Sequence, residues 1–141
     1  MRLLGVDYGE ARTGLAHSDA LGLYAIGIGN IKSYHIEDVA AQIAARAEEM
    51  DAERIVIGKP VNMDGTCGEK VEKVTELARL IATHTAIPTD FFDERLTTMS
   101  AHRILSESGM KAKKHRAVVD SLSAELILQG YMDKMKNQNK S

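Results

Sequence analysis

The 141-residue chain has few of the residues on which disulfide-bonded and membrane proteins depend. It has one cysteine, Cys67, two prolines and no tryptophan. A single cysteine excludes an intrachain disulfide and is typical of a reducing compartment. No run reaches the roughly 20 apolar residues of a membrane span, and Asp7 interrupts the first apolar run too early for a signal peptide. We therefore expect a cytoplasmic protein with no membrane association.

The chain also lacks an excess of positive charge, which counts mildly against a nucleic-acid-binding protein. The net charge is −2, with 44% hydrophobic and 27% charged residues, as in a globular chain. Residues 103–116 nevertheless contain five lysines and arginines against one glutamate, so this segment carries +4 and the rest −6. The length fits one domain, which we expect over residues 1–136, followed by a flexible polar tail over residues 137–141.

The hydrophobic pattern predicts an α/β fold. Three short strands, roughly residues 2–7, 13–18 and 25–31, are close enough in sequence to form antiparallel hairpins. Helical periodicity from Ile36 to Ala47 precedes an apolar strand over residues 54–58. A helix begins at Thr66, which forms a capping-box pattern with Glu69. A last strand spans residues 89–92. The strand order predicts a mixed five-stranded sheet flanked by helices.

The C-terminal third is predicted to be helical around a basic loop. A short helix covers residues 98–107 and stops at Gly109. The last helix runs from about Val118 to Met135. Between them lies a basic stretch that we interpret either as a solvated loop or as a phosphate contact. Its basic residues are Lys111, Lys113, Lys114 and Arg116.

Three acidic residues stand where they can converge. Asp7 ends the first strand, Glu94 follows the fifth, and Asp120 falls in the first turn of the last helix. Parallel strands end at one sheet edge, where ligands of open α/β sheets bind. Clustered carboxylates need a neutralising cation, and oxygen ligands suit Mg²⁺ or Mn²⁺. Each residue alone can also be interpreted as an ordinary turn residue or as an acid that complements a helix dipole. Asp93 is the alternative to Glu94 as the third acid, because adjacent residues of a strand point to opposite faces.

Four motifs, in order, resemble one family. The first three are DYGEARTGLA at residues 7–16, IGKP with NMDGT at residues 57–66, and DERLTT at residues 93–98. The fourth is Lys114 and Arg116 followed by VDSLSA and ILQGY at residues 119–131. The chain resembles the YqgF family, also called RuvX, over roughly residues 1–133. The resemblance implies a ribonuclease H-like fold and a metal-dependent nuclease with the catalytic and metal-binding triad Asp7, Glu94 and Asp120.

The resemblance also implies phosphate contacts at Arg12 and Arg95. Arginine suits this role because its planar fork donates two parallel hydrogen bonds. Two departures matter. Lys59 stands where the family often has leucine, and Ser123 replaces the fourth acid of related resolvases, which leaves open whether one or two metal ions bind.

The expected function is phosphodiester hydrolysis in structured RNA during maturation of the 5′ end of pre-16S ribosomal RNA, with ribosomal particles as a further partner. A Holliday junction resolvase acting on branched DNA is the close alternative. A non-catalytic binding module is another, and a nucleotide-binding ATPase is disfavoured because one domain of this size cannot close over a nucleotide. The chain is expected to be a monomer or a homodimer.

Overall fold

A computed structural model describes residues 2–59, 68–93 and 112–139, with the side chains of the last helix described from Ser121 to Lys136. The elements follow one another as three strands, then a helix and strand twice, then a long helix. They are β1 (Leu3–Asp7), β2 (Arg12–Ser18), β3 (Ala25–Lys32), α1 (Ile36–Glu49), β4 (Arg54–Lys59), α2 (Glu69–His84), β5 (Thr89–Asp93) and α3 (Ala112–Asn139).

The strands form one mixed sheet in the order β3-β2-β1-β4-β5. The first three strands pair antiparallel, while β4 runs parallel to both β1 and β5. This confirms the predicted five-stranded architecture. The parallel strands are connected through α1 and α2, as crossover connections require. The carboxyl ends of β1, β4 and β5 therefore lie at the same edge of the sheet.

Strand alternation divides the core between the two faces of the sheet. Val6 and Ile57 belong to a buried cluster that includes residues of α1 and α2. Leu3, Val56 and Phe92 belong to a second cluster with residues of α3. The periodicity of β1, β4 and β5 thus decides which side chains face α1 and α2 and which face α3.

Helix α3 packs very closely on the middle of β1, at Gly5. A Cβ atom added to Gly5 would lie 2.8 Å from the Leu128 Cβ and 3.2 Å from the Ala124 carbonyl oxygen. A backbone contact of this kind leaves no room for a larger residue. The small residue in β1 therefore fixes the distance between the helix and the strand that ends in Asp7.

Two helix starts differ from the predictions. The N-cap of α2 is Gly68, without a side-chain cap, rather than Thr66, which lies outside the described residues. Helix α3 begins at Ala112, so residues 112–117 are helical and the predicted basic loop is wrong there. Alanine, lysine and arginine are all good helix formers, and no glycine or proline interrupts them.

The other end of α3 also differs, because it continues to Asn139 and so into the predicted polar tail. The predicted helix over residues 98–107 lies outside the described part of the chain. Within the parts of the chain that the structure describes, no helix is long and apolar enough to cross a membrane.

Candidate functional site

Asp7 stands at the sheet edge where the parallel strands end. It is the last residue of β1 and is half-buried. Its cross-strand neighbour in β2 is Gly14, which has no side chain. Asp7 follows Leu3 and Gly5 by two-residue steps, so it lies on the sheet face that α3 covers.

Asp93, the rival of Glu94, lies on the opposite face. It is two residues from Phe91, which packs against the core beneath α1 and α2. Its parallel neighbour is Lys59, whose ammonium lies 5.7 Å from the centre of the Phe91 ring. This separation is within the range of a cation–π contact. Lys59 therefore belongs to the α1 and α2 face, across the sheet from Asp7.

The backbone of α3 brings Asp120 to the level of Asp7. Ala124 contacts Gly5, and Asp7 lies two residues further along β1, about 6.6 Å away at 3.3 Å per residue. Asp120 lies one turn before Ala124 on the same helix face, about 6 Å away at 1.5 Å per residue. Because the segment before Ala124 runs towards the Asp7 edge, the two acidic positions stand near one another. Asp120 is nine positions into α3, not in its first turn as expected.

The direction of α3 follows from its contacts with β3. The Gln129 side-chain oxygen accepts a 2.9 Å hydrogen bond from the Ala25 amide, and the Glu125 carboxylate accepts one of 2.7 Å from the Gly27 amide. Four residues back along α3 thus correspond to two residues forward along β3, so the helix and the strand run in opposite directions. The N-terminal turns of α3 therefore run towards Lys32, the end of β3.

This arrangement also shows what Glu125, the acid nearest in sequence after Asp120, contacts. Its carboxylate is engaged by the Gly27 amide rather than directed at the Asp7 edge. Ser123, which replaces the fourth acid of related resolvases, is exposed.

The far end of α3 is held by Tyr131. Its hydroxyl accepts a hydrogen bond from the Arg54 guanidinium and donates one of 2.9 Å to the Asp90 carboxylate. Burial, and then the hydrogen bond to Asp90, raise the pKa of Tyr131 above its usual 10.0, while the Arg54 contact opposes this rise. Beside it, Gly130 fits against Phe92, since a Cβ there would lie 2.7 Å from the ring. Sequence analysis missed this anchor, because Arg54 and Asp90 carry no local signal of it.

A tight turn places Arg12 close to Asp7. A Cβ atom at Gly9 would lie 2.3 Å from the Arg12 carbonyl oxygen, so only glycine fits the connection between β1 and β2. Arg12 is exposed at the start of β2. It stands two residues before Gly14, the neighbour of Asp7, and shares its face of the sheet. The predicted phosphate-binding arginine therefore stands beside the candidate acid.

The remaining predicted site residues stay predictions. Glu94, Arg95 and Lys111 lie outside the described residues. Lys113, Lys114 and Arg116 occupy the first turns of the α3 backbone, and their side chains, like that of Asp120, lie outside the described part. Among the described residues, no group of three potential metal ligands is present.

The chain matches known proteins over nearly its whole length. The family model described as "RuvX: Holliday junction resolvase" matches residues 1–134. A protein of Ruminiclostridium cellulolyticum named "Putative pre-16S rRNA nuclease" is 42% identical, with all of both chains covered. A protein of the same name from Syntrophus aciditrophicus is 44% identical over 98% of this chain and 92% of its own.

Solved structures agree on the fold. Thermus thermophilus RuvC in complex with a Holliday junction has a TM-score of 0.62 at 15% identity, with 95% of this chain and 96% of that chain covered. The fowlpox virus resolvase in complex with Holliday junction DNA has a TM-score of 0.53 at 11% identity, with 96% and 99% covered. The fold is thus that of the RuvC-like resolvases, and by its sequence the chain belongs to the RuvX family of nucleases.

Proposed function

We propose that this protein hydrolyses phosphodiester bonds in structured RNA, at the 5′ end of precursor 16S ribosomal RNA, with a divalent metal ion held by Asp7, Glu94 and Asp120. The observation that carries the proposal is that two acidic positions lie on the same face of the sheet. Asp7 ends β1 beneath α3, and Asp120 lies on the α3 backbone at the same level. Asp93 lies on the other face of the sheet, which favours Glu94 over it.

Strand geometry favours Glu94 as the third ligand. Phe92 faces α3, and the same alternation continued by two residues would direct Glu94 to that face. β4 separates β1 from β5, so their backbones are about 9.6 Å apart at about 4.8 Å per strand spacing. A glutamate reaches one methylene further across this gap than an aspartate would.

The donor set fits a hard cation. Three carboxylates near one point repel each other unless a cation neutralises them, and Mg²⁺ and Mn²⁺ prefer oxygen ligands. When bound, such an ion supplies activation of water and stabilisation of the charge on the leaving oxygen. Ser123 is exposed and the Glu125 carboxylate is engaged at Gly27, so neither residue favours a fourth acidic ligand.

The chain's own cations would position the substrate. Arg12 beside Asp7 can donate two parallel hydrogen bonds to a phosphate and so orient the bond to be cleaved. The basic first turns of α3, with Arg95 and Lys111, would add contacts to neighbouring phosphates. The curated relatives named for pre-16S rRNA favour RNA as the substrate, while the family description favours a four-way DNA junction as the second candidate.

The test compares Asp7→Asn with Asp93→Asn on a precursor 16S RNA fragment and on a four-way DNA junction, each with Mg²⁺ and Mn²⁺. We expect Asp7→Asn to lower the cleavage rate by roughly a hundredfold or more, because the metal ion contributes several kcal/mol and each 1.36 kcal/mol is tenfold. Asp93→Asn is the matched control and should stay within a few-fold of the parent. Equal rates for parent and Asp7→Asn would instead indicate a binding module.

A further inference from the structure

We propose that Lys32 contacts a substrate phosphate, and that it continues a basic track from Arg12 along the end of β3 beneath the first turns of α3. The inference rests on the proposed function and extends it, because it assigns the path of the nucleic-acid backbone on the side of Asp7 away from β5. Lys32 lies outside the four family motifs described above.

Lys32 and Arg12 are direct neighbours across two strands. They form a Cα pair of the antiparallel β2–β3 ladder, at a typical separation of about 5 Å. Ile31 is buried beneath α1 and α2, so Lys32 points to the opposite face, which Arg12 and Asp7 share. Both side chains are exposed. Two cations thus stand side by side on the face that carries the candidate acid.

The first turns of α3 follow the same line. Gln129 contacts Ala25 and Glu125 contacts Gly27. Four helix residues advance about 6 Å and two strand residues about 6.6 Å. Each further four residues towards the start of α3 therefore correspond to a further two residues towards the end of β3. On this spacing the helix position of Lys113 stands level with Ser33, directly after Lys32 at the end of β3.

Lys32 is exposed beside Arg12 on the face that carries Asp7. A nucleic-acid backbone held at Arg12 can therefore bring a further phosphate to the Lys32 ammonium. A single small anion would occupy only one of these two positions, whereas successive phosphates of one strand can occupy both. Because Arg12 also takes part in an interaction of its own, we assign the new contact to Lys32.

The experiment measures binding rather than cleavage, without divalent ions, so that the substrate stays intact. Affinities of the full chain for a precursor 16S RNA fragment are determined by fluorescence anisotropy at several KCl concentrations. The variants are Lys32→Ala, the charge-preserving Lys32→Arg, and Lys134→Ala as a control. Lys134 is likewise exposed but lies on the far half of α3.

We expect Lys32→Ala to weaken binding roughly five- to tenfold at 0.1 M salt, and to reduce the log–log salt slope by about 0.7–0.9, the contribution of one phosphate. Lys32→Arg should retain the parent slope, and Lys134→Ala should behave as the parent. If Lys32→Ala and Lys134→Ala both match a parent that binds, the assignment of Lys32 is overturned while the proposed function stands. A parent that does not bind RNA overturns both.

Discussion

At the scale of single residues, a hydroxyl group ties α3 to the sheet. Tyr131 accepts from Arg54 and donates to Asp90, so it joins α3 to β4 and β5 at the edge opposite Asp7. Tyr131 itself is buried, whereas Asp90 is exposed and Arg54 is half-buried. Water can therefore replace part of what these partners would lose without the hydroxyl, and the net stabilisation is at the modest end for hydrogen bonds to charged groups.

Replacement of Tyr131 by Phe should accordingly lower the free energy of unfolding by about 1 kcal/mol, and the melting temperature by roughly 3–4 °C for a chain of this length. Thermal unfolding followed by circular dichroism measures the change. Tyr34→Phe is the matched control, because Tyr34 is 82% exposed. An equal loss in both variants would show that the Tyr131 hydroxyl contributes nothing specific.

The same residue predicts the behaviour of the protein in alkali. Burial raises the pKa of Tyr131 in the folded chain above the 10.0 of a free tyrosine. From pH 10 upwards, the unfolded chain therefore loses this proton first, and stability falls as the pH rises through the folded pKa. The fall between pH 9 and pH 11 should be smaller in Tyr131→Phe than in the parent.

At the scale of elements, α3 protects the exposed edge of the sheet. β3 is an edge strand, and such strands offer unpaired amides to other chains. Glu125 and Gln129 occupy the amides of Gly27 and Ala25. These two contacts fix the direction of α3 over the sheet and leave two fewer amides of β3 available to another chain.

Replacement of both Glu125 and Gln129 by Ala should lower the free energy of unfolding by about 1–3 kcal/mol and allow concentration-dependent self-association. Light scattering and sedimentation at several protein concentrations would measure it. Glu125→Gln keeps an acceptor oxygen and should remain monodisperse to the same degree as the parent. It should also keep the parent's cleavage rate, whereas a large loss of cleavage in this variant would indicate that Glu125 is a fourth metal ligand.

Elements with a strong internal pattern were predictable from the sequence. All five strands and α1 lie within one or two residues of their predicted positions. Helical periodicity marks α1, and short apolar runs bounded by turn residues mark the strands. Asp7 was predictable as a strand-end residue for the same reason. The ends of α2 and α3 were not predictable in this way. Gly68 caps α2 although Thr66 and Glu69 offered a capping box, and the basic residues before Val118 continue α3.

Contacts between distant elements could not be predicted from the sequence. The engagement of Glu125 depends on the position of Gly27, 98 residues away, and the pairing of Arg12 with Lys32 depends on a strand register. A bulge between Leu15 and Ala16 shifts that register, and no local pattern predicts it. The face of Asp93, by contrast, follows from alternation once the face of Phe92 is known.

At the scale of the whole molecule, a small basic segment stands on an acidic body. Residues 103–116 carry +4 within a chain of net charge −2. Arg12 and Lys32 stand at the edge of the sheet towards which the first turns of the α3 backbone run. The acidic remainder repels a polyanion that approaches from elsewhere, so charge directs the substrate to one edge. Affinity should come from a few phosphates rather than from a broad surface.

This distribution predicts a shallow salt dependence for the parent protein. Each neutralised phosphate contributes about −0.9 to the log–log slope on duplex DNA and about −0.7 on a single strand. Contact with about three to five phosphates then gives a slope of roughly −2 to −4.5. It is measured by titration of a four-way DNA junction and a precursor 16S RNA fragment at salt concentrations between about 50 and 300 mM KCl. A slope of about −8 or steeper would contradict the prediction, because it would require a larger basic surface than one chain presents, such as one shared between two copies.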